Sequence, residues 1–385
     1  MKRPLILSAL LICCFSLNTQ AQFGGFLKDV GKKVLKKEAE RQVVKAVTGE
    51  LAPPEEAFES VSLINPDAVA IPTISDKDMD SRQGRRAEKL LEKSDKILIP
   101  AFRVVFNTQA SASASTDSRL INLGSSSKTS DTSMTMKVNL GGVTESALQK
   151  IADEAYADFL AGLKASGKEP IPYDEFKNHE SYKEIDFAEA SAGKAFFKDM
   201  KMGDPRAFFV QSPKALPLFF LNSDQFGDQG IFGLGNWKKL TALSHDLDAM
   251  IVIPTISIDF VQMHGSGKRS LFKKSSSVKM QQEVSLIPQL SNLYVLHAKS
   301  KVAGDFQQYP LDEEIVIPGG YGKATLIKER DNTALVYALS AATGTAGSVS
   351  KRSEYMIDAN PEAYAALALA GCKALNGKYT EFLKK

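Results

Sequence analysis

AMIVIPTISIDFVQM, residues 249–263, is the stretch whose reading decides the fold. Met250, Ile251, Val252 and Ile253 follow one another with no polar residue between them, as in a strand covered on both faces. After Pro254 the pattern changes, and Ile256, Ile258 and Phe260 alternate with Thr255, Ser257 and Asp259. One strand therefore begins in a two-sided interior and emerges towards solvent on one side. Downstream, the polar HGSGKRSLFKK at 264–274 reads as a hairpin tip, and the alternating stretches near 277–287 and 293–302 read as antiparallel partners.

Upstream, KILIPAFRVVF (96–106) reads as a second apolar strand, with Pro100 limiting its pairing at one point. MTMKVNL (134–140) places Met134, Met136, Val138 and Leu140 on one face and reads as a strand returning beside it. Between them, residues 108–130 are dominated by Ser, Ala and Thr, and are expected to form an exposed insertion. A helix is expected over 144–164. Thr144 can cap it, Val143 and Leu148 can form its hydrophobic staple, and Leu148, Ile151, Ala152, Ala155, Phe159 and Leu163 make its apolar stripe. A shorter helix is expected near Trp237–His245. A closing one starts at Asn360–Pro361 and repeats Leu367, Leu375, Tyr379 and Phe382 at helical spacings. Trp237, Phe219 and Phe220 read as core. The fold class is mixed α/β: a mixed sheet covered by helices, with long antiparallel strands and a C-terminal helix, over residues 96–385. Residues 53–95, with Pro53, Pro54, Pro66 and Pro72, read as a linker ending in a short helix at Arg85–Lys93.

The first 21 residues read as a secretory signal peptide: Lys2 and Arg3, an apolar run from Leu5 to Leu17, then Thr19 and Ala21 before a cleavage point. The run is shorter than the roughly 20 residues a membrane-spanning helix needs. Removing the signal takes away Cys13 and Cys14 and leaves only Cys372, so a disulfide framework and a Cys-rich metal site are not expected. It also lowers the formal charge from +3 by the two cations to +1, a balance that argues against nucleic acid as a partner. A periplasmic or secreted location follows, with association to the outer membrane as the finer expectation.

Residues 22–52 read as a basic amphipathic helix. Phe23, Phe26 and Leu27 open its apolar face, and Lys28, Lys32, Lys33, Lys36 and Lys37 open the opposite one. These eight residues are the candidate docking set for an anionic membrane surface or a partner. The alternative is a helix packed on its own domain with a solvated outer face.

Motifs for covalent chemistry fall short. Asp76, Asp78 and Asp80 resemble the first ligands of a calcium loop, but Ser81 and Ala87 stand where Gly and a bidentate acid are required. Gly227, Gly230, Gly233 and Gly235 miss the dinucleotide spacing, and ATGTAGSVSK (342–351) misses that of a phosphate loop. His179, His245, His264 and His297 are scattered, without a zinc-hydrolase pairing. His245 beside Asp246 reads as a helix end, and Cys372 as a buried apolar residue. No cofactor and no metal are expected.

In element order the chain resembles a group of bacterial envelope proteins, the curli-secretion channel subunit and the lipoprotein activators of penicillin-binding proteins. The matching stretches are KILIPAFRVVF, VTESALQKIADEAYADFLAGL, LSHDLDAMIVIPTISIDFVQM, SNLYVLHAKSKVAG and NPEAYAALALAGCKAL, about two thirds of the chain. Those proteins are anchored through an amino-terminal cysteine that the processed chain lacks, and the Ser-rich stretch after Phe106 is not part of their pattern. The resemblance implies a non-enzymatic, protein-binding role in the envelope and carries no site residues. Envelope proteins or an anionic membrane surface are the expected partners, and a homo-oligomer is left open. The alternatives are a secreted hydrolase with His245 or His264 as base, and a small-ligand carrier with the loop 227–235 at its rim.

Overall fold

The structure is a computed structural model that describes residues 50–51, 54–59, 61–91, 94–116, 132–188, 194–198, 205–221, 234–269, 273–297, 306–343 and 348–384. The fold is mixed α/β, built on one sheet of parallel and antiparallel pairings. At its centre is β9 (Met250–Arg269), the strand that contains residues 250–263. It pairs in parallel with β4 (Arg103–Ser115), Arg103 facing Thr255 and Phe106 facing Ile258, and antiparallel with β10 (Lys273–Leu286) and β11 (Asn292–Leu296). Beyond β4 the order runs through β5 (Thr132–Gly141), β15 (Val349–Ala359) and β14 (Gly322–Asp331). On the other side β10 carries β1 (Glu50–Leu51), β2 (Glu55–Glu59) and β13 (Ile315–Ile317). The short strands β3 (Lys96–Leu98), β6 (Glu169–Pro170), β7 (Lys194–Lys198), β8 (Pro205–Gln211) and β12 (Phe306–Pro310) extend the sheet locally.

The two-sided start of β9 lines two cores. Met250 and Val252, then Ile256, Ile258 and Phe260, enter the larger core, while Ile251 and Ile253 enter the second. The larger core is covered by α2 (Glu145–Ala165) and α7 (Pro361–Leu383), which pack on each other. Thr144 caps α2 through Ala147 N–H, and Asn360 caps α7 through Ala363 N–H. Asn376 ties the two helices by donating to Ala155 O at 2.8 Å and Asp158 Oδ2 at 3.0 Å. The second core lies under α5 (Leu234–Leu247) and the short helices α3 (Tyr173–Phe176) and α4 (Glu180–Lys183), with Phe219 fully buried and Trp237 packed at its margin. The other helices are α1 (Ser81–Leu91), against β12, and α6 (Thr333–Thr343), between β14 and β15.

Three expectations are corrected. The Ser-rich insertion at 108–130 does not begin at 108: β4 continues to Ser115, burying Ala110, Ala112 and Ala114 and pairing antiparallel with β5. The alternation of Ala and Ser is a strand period in residues too small for composition to reveal it. Residues 117–131 lie outside the described residues. Second, 53–95 is not merely a linker. β2 pairs with β10, Leu63 bridges to Gly320, Met79 bridges to Leu311, and Ile74 and Met79 are buried. Its helix starts at Ser81, where Asp80 Oδ1 accepts from the amides of Arg82 and Gln83. Third, KILIPAFRVVF is two strands, β3 and β4, separated at Ile99–Phe102 around Pro100.

The sheet also curls. Ala110, Ala112 and Ala114 of β4, Met134, Met136 and Val138 of β5, and Val278 and Met280 of β10 share the larger core. A Cβ on Gly265 of β9 would stand 2.6 Å from the carbonyl oxygen of Ser113, so the two long hairpins touch where a side chain is missing. Glu56 of β2 then reaches β15: Lys351 Nζ lies 2.8 Å from its Oε1, and Ser353 Oγ donates to its Oε2 at 2.6 Å.

Candidate interaction surface

The docking residues Phe23, Phe26, Leu27, Lys28, Lys32, Lys33, Lys36 and Lys37 lie outside the described residues, as does most of the 227–235 loop. The two candidate bases are on different elements. His245 ends α5, its Nδ1 3.1 Å from Asp246 Oδ1, with His179 Nε2 3.9 Å from the other oxygen of that carboxylate. His264 is exposed on β9, opposite Lys279. Fourteen strand positions separate it from Met250, roughly 45 Å along β9 at about 3.3 Å per residue. The acids near residue 78 hold the chain: Asp78 accepts from Ser75, Asp80 caps α1, and Asp76 pairs with Lys378 of α7. Among the described residues no three His, Cys, Asp or Glu side chains are grouped to hold a metal. Cys372 is fully buried in the larger core, and that burial pushes its thiol pKa up.

A buried polar row runs along the face of β4 and β9 that includes Thr255. Arg103 donates to Thr255 Oγ1 from Nε at 3.1 Å and from Nη2 at 2.8 Å, and its guanidinium stands 5.8 Å above the Tyr294 ring. Four residues on, Asn107 donates to Asp259 Oδ1 at 2.7 Å. Ser257 donates to Leu290 O at 2.9 Å, and Ser291 Oγ accepts from Ser257 N–H at 3.0 Å. These bonds cross between strands and loops, so the row fixes register.

The outer surface is uneven. Of eight exposed large hydrophobic side chains among the described residues, five lie on β14, α6 and β15: Leu326, Ile327, Leu335, Leu339 and Met356. Leu335 and Leu339, one helical turn apart on α6, are 61% and 52% exposed, which makes α6 an apolar face turned outwards. β14 ends the strand order, and Ile327 is an extra residue in its pairing with β15, a bulge of the kind that turns an edge strand away from further pairing. Sequence reading missed β14 and β15 because their polar and apolar residues follow no clean period.

No family model matches the chain, and neither a curated protein nor a solved structure does. No helix among the described residues is long and apolar enough to cross a membrane.

Proposed function

We propose that the chain is exported and works in the periplasm or outside the cell, associated with the outer membrane, as a non-enzymatic binding or assembly factor. The observation that carries this reading is the concentration of exposed aliphatic side chains on β14, α6 and β15. Large aliphatic side chains gathered on neighbouring exposed elements are costly to keep in water, and partners cover such surfaces. The leader-like first 21 residues and the resemblance to envelope assembly proteins support the same reading.

The test is a photo-cross-linking residue at Ile327 or Leu335, compared with one at Lys150, an exposed position on α2, followed by cell fractionation. Envelope proteins are expected to cross-link from the first two positions and not from the third. Cytosolic protein that retains residues 1–21, or identical cross-links from all three positions, would overturn the proposal.

A further inference from the structure

The chain between β2 and α1 is tied at both ends and loose in the middle. β2 lies on β10, with Glu56 held by Lys351 and Ser353 of β15. At the far end Met79 bridges to Leu311, and the carbonyl of Asp78 accepts from the amides of Asp312 and Glu313 at 2.7 and 3.1 Å. From Val61 to Thr73 no side chain is buried. Ile64 and Val69 rest half-buried on the larger core, while Leu63 and Ile71 are 59% and 56% exposed. Such shallow burial puts a segment at the low end of local stability.

This segment runs along α7. Gly319 lies between Ile64 and Leu367, since a Cβ there would stand 2.6 Å from Ile64 Cδ1 and 3.2 Å from Leu367 Cδ2. The turn at Pro66–Ala68 touches α7, and Asp76 pairs with Lys378 further along the same helix. Leu367 to Lys378 is about 17 Å at roughly 1.5 Å per helical residue, while the chain from Ile64 to Asp76 could extend to about 40 Å. It therefore has the slack to move without releasing either tied end. Two backbone bonds hold its start: Ile64 donates to Gly320 O at 2.8 Å, and Gly320 donates to Ser62 O at 3.1 Å.

The ion pair at its other end is arranged to open. The Lys378 side chain is 6% exposed, whereas those of Asp76 and Glu381 are 80% and 64% exposed. Glu381 belongs to α7 and stands 3.1 Å from the same ammonium. Removing the partner of a buried cation is costly when it leaves the charge uncompensated. Here Glu381 stays behind, so Asp76 can leave without stranding Lys378.

We infer that residues 62–76 are a strap that lifts from α7 as a unit while the sheet stays folded, with Asp76 and Lys378 as its latch. Lifting uncovers the Leu367 stretch of α7 and frees both backbone groups of Gly320, so the protein itself gates the seam between α7 and the chain that follows β13. The gate goes beyond the envelope reading above and stands whether or not that reading does.

The experiment is hydrogen exchange on the full chain, read in peptides covering residues 62–76, 315–322 and 361–383. The strap and the Gly320 amide are expected to exchange at least about a hundredfold faster than the middle of α7, and without response to low denaturant, as local openings do. Asp76→Ala removes the latch and should speed strap exchange about two- to fivefold, the range of a partly exposed ion pair. Glu381→Ala should slow it, because the open state then leaves Lys378 with neither carboxylate. Two acids that merely stabilised the fold would shift exchange in the same direction when removed. Thermal melting verifies that both variants are folded. Strap exchange at the rate of α7, the same denaturant dependence in both, a strap unmoved by Asp76→Ala, or faster strap exchange in Glu381→Ala would overturn the inference.

Discussion

Arg103 and Thr255 show how single residues hold this sheet in register. The guanidinium is completely buried and donates twice to one hydroxyl, so Thr255→Val removes an acceptor while keeping the shape. A loss of about 1.5–3 kcal/mol in urea unfolding is expected, the usual size for a hydrogen bond to a charged group. Glu56 works at the margin instead. Its burial pushes the carboxyl pKa up, but bonds from Lys351 and Ser353 and the charge of Lys351 outweigh this and hold it below 4.5. A lowered folded pKa stabilises fully above the unfolded value, and the contribution disappears as pH falls through the folded one. Stability should therefore decline below about pH 4.5, and Glu56→Gln should flatten that part of the curve in a pH series of melting temperatures. Gly142, at φ +77°, sits where a Cβ would run into the carbonyl oxygen of Ala359. Gly142→Ala is expected to cost at least about 1–2 kcal/mol from the left-handed backbone alone, measured by denaturant titration.

Among the elements, β4 separates pattern from composition. Ala112 is buried and Ser113 exposed, so Ala112→Asp places a carboxylate in the larger core while Ser113→Asp places one in water. The first is expected to cost about 3 kcal/mol or more and the second under about 0.5 kcal/mol, both read from chemical unfolding. This is also where sequence reading lost the strand, because Ala and Ser differ too little in hydrophobicity for alternation to outweigh a disorder-like composition. The helices α2 and α7 were legible at their N-terminal ends because the caps are explicit side chains, Thr144 and Asn360, followed by large apolar residues at a helical period. β9 was legible as a strand because its pattern changes within it, but its polar side does not emerge into solvent: Thr255, Ser257 and Asp259 are buried in a polar row, while Ile256 and Ile258 stay in the larger core. β14 was not legible, since an edge strand exposed over most of its length has no buried face to write a period into its sequence.

For the whole molecule, the shared strand β9 couples the two cores. Leu375→Ala in α7 should open a cavity in the larger core and cost about 2–5 kcal/mol. Trp237, the single tryptophan, packs against the second core. Its fluorescence is expected to report the same shifted transition as far-ultraviolet circular dichroism, and two separated transitions would show that the cores unfold independently. The end of the sheet where β1, β10, β14 and β15 meet could not be read from sequence at all. Its members span residues 50–352, and only pairing register brings them to one place.

That same span governs when the polypeptide can become native. Arg103 waits for a partner 152 residues further on, Glu56 for one 295 residues away, and Asp76 for Lys378, 302 residues later. A ribosome must have passed Leu383 before α7 can close the larger core, and such long-range pairing is slow to form. Until then the nascent chain lacks the helix that seals its larger core, and its buried strands stay open to chaperones.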